Sequence, residues 1–283
     1  MLVAGDIGAT KTLLALYHPE KGPRQPIAKG EFRSGEFPKL EAVVGKFLGQ
    51  MKKSATHGCF AVAGPIIKGQ AQLTNLSWSL AEDSLADNLS LKKVVLLNDL
   101  KALAYAVPHL QAADIQTINL GKREAEGAMA VLAPGTGLGE AFVIRNGSEY
   151  IACSSEGGHA DFSPADERQA ELWRYMAENF GHVSFERVCS GKGLPHIYEF
   201  LRASKYASEP AEFAAKLAEA ADPTPLIVKA ALNEPANHPL CLATLHLFIE
   251  ILGAEAANLA LKVLATGGVY LGGGRRILRQ FQP

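Results

Sequence analysis

The chain repeats one pattern twice, in which a short apolar run leads into a glycine-rich turn and a second apolar run leaves it. In the first half, residues 2–4 and 13–17 flank the turn at 5–10. In the second half, residues 129–144 follow the same order around the turn at 135–139. Short apolar runs on either side of a glycine turn predict two β-strands joined as a hairpin.

Between these turns the pattern alternates between helical spacing and short apolar runs. Apolar residues recur at helical spacing from Phe37 to Ser54, with Pro38 placed for a first turn. Residues 59–63 and 94–97 are nearly all apolar, which is typical of strands covered on both faces by helices. The pattern therefore predicts an α/β sheet.

After Gly147 the chain is predicted to be mostly helical. Trp173, Met176, Ala177 and Phe180 form one apolar helix face that Gly181 ends. Further helices are predicted through Tyr198, Phe213 and Leu245. Both tryptophans, Trp78 and Trp173, are interpreted as packing residues.

A length of 283 residues is enough for about two domains. We place a small α/β domain at 1–104 and a larger, helix-rich α/β domain at 105–283. No Pro/Gly/Ser linker separates them, so a close hinge is expected near residues 98–108.

Composition and charge exclude several classes of function. A net charge of −1, with no basic run longer than Lys52-Lys53, predicts no nucleic-acid partner. The longest apolar stretch, 238–265, is interrupted by charged residues and is interpreted as a core helix, so no membrane partner is expected. The N-terminus has no basic region before an apolar stretch and is not expected to be a secretory signal. Four scattered cysteines favour a reducing cytoplasm over a disulfide framework.

The two glycine turns suggest the chemistry. Without Cβ atoms, successive backbone N–H groups can converge on phosphate oxygens, and threonine hydroxyls can add donors. Neither turn has the context of a P-loop or of the dinucleotide fingerprint. Either turn alone could be an ordinary hairpin, but two in one chain favour phosphate binding, and Asn98-Asp99 ends an apolar run between them. The combination points to phosphoryl transfer.

A set of longer motifs makes the resemblance to a known family specific. They read Gly-Asp-Ile-Gly-Ala-Thr at 5–10, Ala-Gly-Pro-Ile at 63–66, Leu-Thr-Asn-Leu-Ser-Trp at 73–78, Asn-Asp at 98–99, Gly-Thr-Gly-Leu-Gly at 135–139, Glu-Gly-Gly-His-Ala-Asp-Phe at 156–162, Glu-Arg-Val-Cys-Ser-Gly at 186–191 and Gly-Gly-Val-Tyr-Leu-Gly-Gly-Gly at 267–274. With these motifs the chain resembles the bacterial glucokinases of the hexokinase, actin and Hsp70 ATPase superfold.

The resemblance implies a two-domain, actin-like ATPase (ribonuclease H-like) fold with a cleft between the domains. It implies ATP-dependent phosphorylation of D-glucose at the 6-hydroxyl, the first step of glycolysis, by a cytoplasmic enzyme that uses ATP and Mg²⁺. The small domain would carry the first phosphate loop and the catalytic aspartate. The large domain would carry the second loop and the sugar and adenosine sites. A homodimer is compatible with the sequence.

The family's functional residues carry over position by position. Asp99 resembles the base that takes the proton of the sugar 6-hydroxyl. The implied glucose ligands are Asn98, Asp99, Glu156, His159 and Glu186. The implied ATP ligands are Gly5, Asp6, Gly8, Ala9, Thr10, Gly135, Thr136, Gly137, Gly272 and Gly273. Asp6 would also place Mg²⁺, through a water molecule.

Side-chain chemistry agrees with these roles but leaves alternatives open. A carboxylate general base typically contributes about 10²–10⁴-fold to rate, whereas Asp99 taken alone is equally typical of a helix N-cap. Glu156 and Glu186 can accept hydrogen bonds from sugar hydroxyls, and each alone could also be a surface charge.

Three other interpretations remain. The related ROK family uses its Glu-x-Gly-His histidine as a zinc ligand, but Cys153 and Cys189 lack the neighbouring cysteines that structural zinc needs. The substrate could instead be mannose, glucosamine or fructose. A non-catalytic sugar sensor of the same fold is the third, although no helix-turn-helix precedes Gly5.

The sequence departs from the family near its C-terminal end. The family chain normally continues past the Gly274 region through a further strand and a closing helix. Here Gly274 runs directly into Arg275-Arg276, where a branched residue and a proline are expected before the arginine.

Overall fold

The computed structural model describes residues 1–73 and 76–273, and the chain divides into two compact units, Met1–Leu103 and Ala104–Pro283. Below they are called unit 1 and unit 2. The departure from the family at Arg275-Arg276 lies outside the described residues, as do positions 74 and 75 of the motif at 73–78.

Unit 1 is built on a five-stranded sheet in the order β3-β2-β1-β4-β7, beside a two-stranded sheet of β5 and β6. Strands β1, β4 and β7 are parallel, and β2 and β3 continue the sheet antiparallel. The strands are β1 Leu2–Ile7, β2 Lys11–Tyr17, β3 Ala28–Arg33, β4 His57–Val62, β5 Gln70–Gln72, β6 Ser79–Ala81 and β7 Lys93–Asn98. The helices are α1 Leu40–Met51, α2 Glu82–Asn88 and α3 Asp99–Ala106, which crosses into unit 2.

The register of the parallel strands fixes where the site of unit 1 lies. Ile7 pairs with Val62, and Val62 pairs with Asn98, so the three strands end side by side. Carboxyl ends of parallel strands are where open α/β sheets place ligands. Beneath this edge, the buried face of α1 packs on the sheet, with Phe47 and Phe60 fully buried.

Unit 2 combines a four-stranded sheet, in the order β10-β9-β8-β11, with a helical core. Strands β8 to β10 form an antiparallel meander, and β11 lies parallel to β8. The strands are β8 Met129–Pro134, β9 Leu138–Asn146, β10 Glu149–Ser155 and β11 Gly268–Leu271. The helices are α4 Glu167–Phe180, α5 Phe185–Val188, α6 Leu194–Ala203, α7 Ala211–Glu219, α8 Thr224–Asn233 and α9 Pro239–Val263.

Helix α9 organises the core of unit 2. It packs against α6 and α8 and contributes Leu245, Phe248 and Ile251 to the buried cluster. By length and composition alone the helix could cross a membrane. Its burial among the other helices is the position that the sequence predicted for it.

The predicted hairpins and the α/β sheet are confirmed, since β1–β2 and β8–β9 pair antiparallel around the two glycine turns. The helix predicted from Phe37 to Ser54 is shorter, Leu40–Met51. Phe37 is extended, and Lys52 adopts the left-handed conformation that ends the helix.

The predicted packing is right for one tryptophan and wrong for the other. Trp78 is buried, and its Nε1 donates a hydrogen bond to the Phe37 carbonyl at 3.2 Å. Trp173 is 41% exposed, because α4 buries the neighbouring face through Gln169, Leu172 and Met176. Gly181 ends α4 as predicted.

Replacing Phe47 by alanine is predicted to lower the free energy of unfolding by about 3–5 kcal/mol, because the large ring leaves a cavity between α1 and the sheet. Urea unfolding measures the change. Ile67→Ala, at a side chain that is 67% exposed, is the control and should cost far less. Equal losses for the two variants would contradict this packing.

Candidate active site

The first glycine turn connects β1 to β2 at the ligand edge of the unit 1 sheet. The turn itself consists of Gly8, Ala9 and Thr10, while Gly5 and Asp6 lie in the last three residues of β1. The backbone N–H of Gly8 donates to the Lys11 carbonyl at 2.9 Å and closes the hairpin. Ala9 and Thr10 are exposed at its tip, where their backbone and the Thr10 hydroxyl are open to a ligand.

Two buried hydroxyls brace this turn from below. The Ser34 hydroxyl donates to the Gly8 carbonyl at 2.7 Å and lies 3.0 Å from Thr12 Oγ1. The Ser34 backbone N–H donates to the Thr10 carbonyl at 3.1 Å. Both serine and threonine are fully buried. Sequence reasoning missed Ser34 because nothing near it in the chain signals a partner 26 residues away.

Asn98 and Asp99 lie at the end of β7, where α3 begins. Asn98 Oδ1 accepts the Lys101 N–H at 3.1 Å and so caps the helix, while Asn98 Nδ2 donates to the Gly64 carbonyl at 3.2 Å. Gly64 belongs to the Ala-Gly-Pro-Ile motif and has a φ of 113°, which favours glycine. Asn98, rather than Asp99, is therefore the N-cap of α3. Asp99 Oδ1 accepts the Leu100 N–H at 2.9 Å.

Asp6 and Asp99 influence each other electrostatically at this edge. Burial raises the pKa of Asp6, and the negative charge of Asp99 raises it further. Burial also raises the pKa of Asp99, opposed by hydrogen bonds from the Leu100 backbone and from Asn98. Ionising two neighbouring carboxyl groups together costs free energy. Such a pair is typical of a site that binds a cation or accepts a proton.

The second glycine turn connects β8 to β9 in unit 2. It contains Gly135, Thr136 and Gly137, and the Gly135 N–H donates to the Gly137 carbonyl at 2.8 Å. The Gly191 N–H donates to the Gly135 carbonyl at 2.7 Å, so the segment after α5 holds the turn. The Lys192 N–H adds a longer bond to the Thr136 carbonyl at 3.3 Å.

Glu186 on α5 is hydrogen-bonded to this same turn. Its Oε2 accepts the Leu138 N–H at 2.9 Å. A Cβ atom on Gly137 would overlap this carboxylate in its present position, so the carboxylate packs directly on the backbone of the turn. The predicted sugar ligand and the predicted phosphate loop therefore lie side by side.

A short 3₁₀ turn, Gly157–His159, packs on strand β9, with Glu156 directly before it and His159 as its last residue. A Cβ atom on Gly158 would overlap the Leu138 carbonyl. Downstream of the turn, the Ala160 carbonyl accepts the Phe185 N–H at 3.0 Å, which joins this segment to α5. The side chains of Glu156 and His159 are largely exposed, with His159 Nε2 3.9 Å from Glu156 Oε2.

The Gly272-Gly273 pair follows β11 and reaches the strand that leads into the second turn. The Gly272 N–H donates to the Leu132 carbonyl at 2.7 Å. Gly273 has a φ of 106°, and a Cβ atom there would lie 2.6 Å from the Pro134 carbonyl oxygen. The structure thus places the predicted adenosine segment beside the predicted phosphate loop of unit 2.

Asp6 is a possible metal ligand among the described side chains. Among residues 1–73 and 76–273, no cluster of three or more histidine, cysteine or acidic side chains could hold a metal ion. Cys153 and Cys189 are free thiols, and Cys189 is buried. The Asp6 carboxylate, at a strand end beside a second carboxylate, is the type of ligand that Mg²⁺ prefers.

The predicted residues thus fall into two structural groups. In unit 1, the first turn and the carboxylates of Asp6 and Asp99 meet at the strand ends. In unit 2, the second turn, Glu156, His159, Glu186 and Gly272-Gly273 lie around the start of β9. Each group joins an anion-binding type of turn to polar side chains that can accept hydrogen bonds from hydroxyls.

Comparison with known proteins agrees with this arrangement. The glucokinase family model matches residues 3–282. The glucokinase of Trichormus variabilis is 40% identical, and the alignment covers 97% of this chain and 84% of the relative.

Solved structures give the same result. The glucokinase of an Antarctic psychrotroph superposes with a TM-score of 0.80 at 29% identity, covering 99% of this chain and 88% of that one. A ROK family glucokinase from Streptomyces griseus, in complex with glucose and AMPPNP, has a TM-score of 0.61 at 18% identity, covering 99% and 86%, and shares the fold. The predicted α/β, actin-like ATPase fold is confirmed, and the chain belongs to the glucokinase family.

Proposed function

We propose that this protein transfers the γ-phosphoryl group of ATP to the 6-hydroxyl of D-glucose and releases glucose 6-phosphate. One observation carries the proposal most directly. Asp99, the candidate base, lies at the carboxyl ends of parallel strands and within electrostatic reach of Asp6 on the first glycine turn. Membership in the glucokinase family supports the same reaction.

Asp99 is proposed as the general base. A sugar hydroxyl is a weak nucleophile, and a carboxylate that accepts its proton as the new O–P bond forms makes it a better one. The hydrogen bond from the Leu100 N–H to Oδ1 fixes the carboxylate and leaves Oδ2 for the sugar. Asn98, held by the helix start and by Gly64, supplies a polar neighbour for the same hexose.

The two glycine turns are proposed to hold the phosphates, and Asp6 to hold Mg²⁺ through a water molecule. When bound, Mg²⁺ would neutralise charge on the phosphate oxygens in a transition state where bonding to the transferred group is loose. Gly5, Gly8, Ala9 and Thr10 would contribute from unit 1. Gly135, Thr136 and Gly137 would contribute from unit 2, with Gly272 and Gly273 bordering the adenosine.

Glu156, His159 and Glu186 are proposed to bind the sugar hydroxyls. A site built around hydroxyls discriminates by leaving polar groups unpaired when the wrong sugar binds. The Streptomyces griseus relative was solved in complex with glucose and AMPPNP, which supports a hexose and a nucleotide as the ligands. We propose glucose as the preferred hexose, a small domain at 1–104, a large domain at 105–283, and a cytoplasmic location.

A sugar panel tests the proposal. Release of ADP is followed with glucose, mannose, glucosamine and fructose, using ATP or ADP as donor, and the phosphorylated product is identified. Glucose with ATP is expected to give the highest kcat/KM. A protein that binds glucose but releases no ADP would be a sensor and would contradict the proposal.

Replacing Asp99 by asparagine is predicted to lower kcat by about 10²–10⁴-fold, because the base is lost while the acceptor for the Leu100 N–H remains. The KM for glucose should change little, since proton acceptance matters chiefly in the transition state. Asp83→Asn, at an exposed acid on α2, is the matched control. Unchanged turnover in the Asp99 variant would remove this residue from the mechanism.

The raised pKa of Asp99 predicts an acid limb in the pH profile. The base form is lost as pH falls through that pKa, so kcat/KM should decline at a pH above the ordinary aspartate value of about 3.9. Steady-state kinetics across the acid range, with circular dichroism at each pH to confirm folding, measure the limb. A flat profile down to the pH of unfolding would contradict the role of Asp99.

Replacing Glu186 by glutamine is predicted to weaken glucose binding by about 5–150-fold, the equivalent of 1–3 kcal/mol for an unsatisfied polar group. The Gln side chain can still accept the Leu138 N–H, so the turn should stay in place. Calorimetric titration with glucose measures the loss, with Glu178→Gln on the exposed face of α4 as control. Equal affinities in wild type and the Glu186 variant would show that Glu186 only braces the turn.

A further inference from the structure

Two carboxyl groups with no role in the proposed reaction are buried together in unit 2. Glu140 on β9 is 2% exposed and Glu255 on α9 is fully buried. The Oε1 atoms of both receive no hydrogen bond from the described part of the chain. The nearby cation is Lys262, whose Nζ lies 3.7 Å from Glu255 Oε1, while Asn258 Nδ2 donates to Glu255 Oε2 at 2.9 Å.

The two carboxyl groups are close enough to interact, and each has one buried oxygen that receives no hydrogen bond from the described residues. A single proton shared between them would satisfy both oxygens, since a bond between two carboxyl groups requires a proton on one of them. Burial first, and then the charge of Glu255, raise the pKa of Glu140 to about 7, while Lys262 opposes the shift. Two carboxyls, one proton and one lysine sum to zero charge, which is the least costly state for a buried cluster.

The pair lies directly beneath the turn that carries two proposed sugar ligands. A Cβ atom on Gly157 would overlap Glu140 Oε2, so the carboxyl group packs against the backbone of the turn. Glu140 also lies opposite Ser155 in the β9–β10 ladder. The Ser155 hydroxyl accepts the Gly157 N–H at 3.0 Å.

We propose that the Glu140–Glu255 pair, joined by its proton, is a positioning element that holds the Gly157–His159 turn so that Glu156 and His159 face the sugar correctly. This inference rests on the proposed function of those two residues as glucose ligands. Loss of the proton would leave two buried carboxylates that repel each other. The repulsion would push Glu140 against the backbone of Gly157, which has no side chain that could move aside.

The titratable groups around the pair lie on two elements of the described chain. Helix α9 contributes Glu255 and Lys262, and the segment after α5 contributes Cys189. The pKa of the Cys189 thiol is raised by burial and by both carboxylates, so it stays neutral and does not compete for the proton at physiological pH. Lys262 is exposed on its outer side and stabilises the ionised pair only in part.

The sign of the pH dependence follows from the raised pKa. The folded pair binds its proton up to a pH near 7, whereas an unfolded glutamate releases it near pH 4.5. The stabilisation is therefore complete below pH 4.5 and is lost as pH rises through about 7. If glucose binds only protein in which the pair is protonated, the apparent dissociation constant for glucose should rise by up to about 30-fold at pH 8.5, because few molecules keep the proton there.

Calorimetric titration of the full chain with glucose between pH 6 and 8.5 tests the inference. Glu140→Gln keeps the side-chain shape and provides a permanent donor to Glu255. The variant should bind glucose within about threefold of wild type at pH 6 and lose most of the weakening above pH 7. His159 is unchanged in the variant, so the comparison with wild type isolates the contribution of the pair.

Two further variants complete the test. Glu255→Gln should reproduce the effect, since its amide can donate to Glu140, and it serves if Glu140→Gln does not fold. Glu149→Gln, at an exposed position on β10, should keep the wild-type profile. The thermal midpoint gives a readout independent of sugar, and its decline above pH 7 should be smaller in both pair variants.

The outcomes separate this inference from the proposed function. If wild type binds glucose and the pair variants show the same pH profile as wild type, the positioning role is wrong. If wild type binds no glucose at any pH, the proposed function itself is wrong.

Discussion

Close packing at the start of β9 holds the candidate site of unit 2 together. The Leu138 N–H is bonded to Glu186, and the Leu138 carbonyl lies against Gly158. A Cβ atom on Gly158 would overlap that backbone carbonyl, so this approach requires glycine. One residue of a strand therefore holds the second glycine turn next to the two segments that carry the proposed sugar ligands.

In unit 1 the constraint is different, because the Asp99 carboxylate has to remain basic although its burial costs stability. Burial raises the pKa of Asp99, and its charge in turn raises the pKa of the neighbouring Asp6. Hydrogen bonds from Leu100 and Asn98 offset part of that cost. A base that is harder to ionise than an ordinary aspartate accepts a proton more readily, which suits attack by a sugar hydroxyl.

Much of this arrangement could be predicted from the sequence, and the exceptions share a cause. The glycine turns, the strand ending at Asn98 and the core helix around Leu245 carry local signals. Ser34, Glu140 and Glu255 carry none, because their roles depend on contacts with residues far away in the chain. The helical spacing of Trp173, Met176, Ala177 and Phe180 predicts a core face for Trp173, whereas packing buries the neighbouring face of Gln169, Leu172 and Met176.

The central claim is that the polar side chains identified in each unit, Asn98 and Asp99 in unit 1 and Glu156, His159 and Glu186 in unit 2, are glucose ligands. Amide hydrogen exchange with and without glucose tests this most directly. The account predicts slower exchange on glucose addition at 98–101, at 157–160 and at the Leu138 amide. Unchanged exchange in any of these three places at saturating glucose would contradict it.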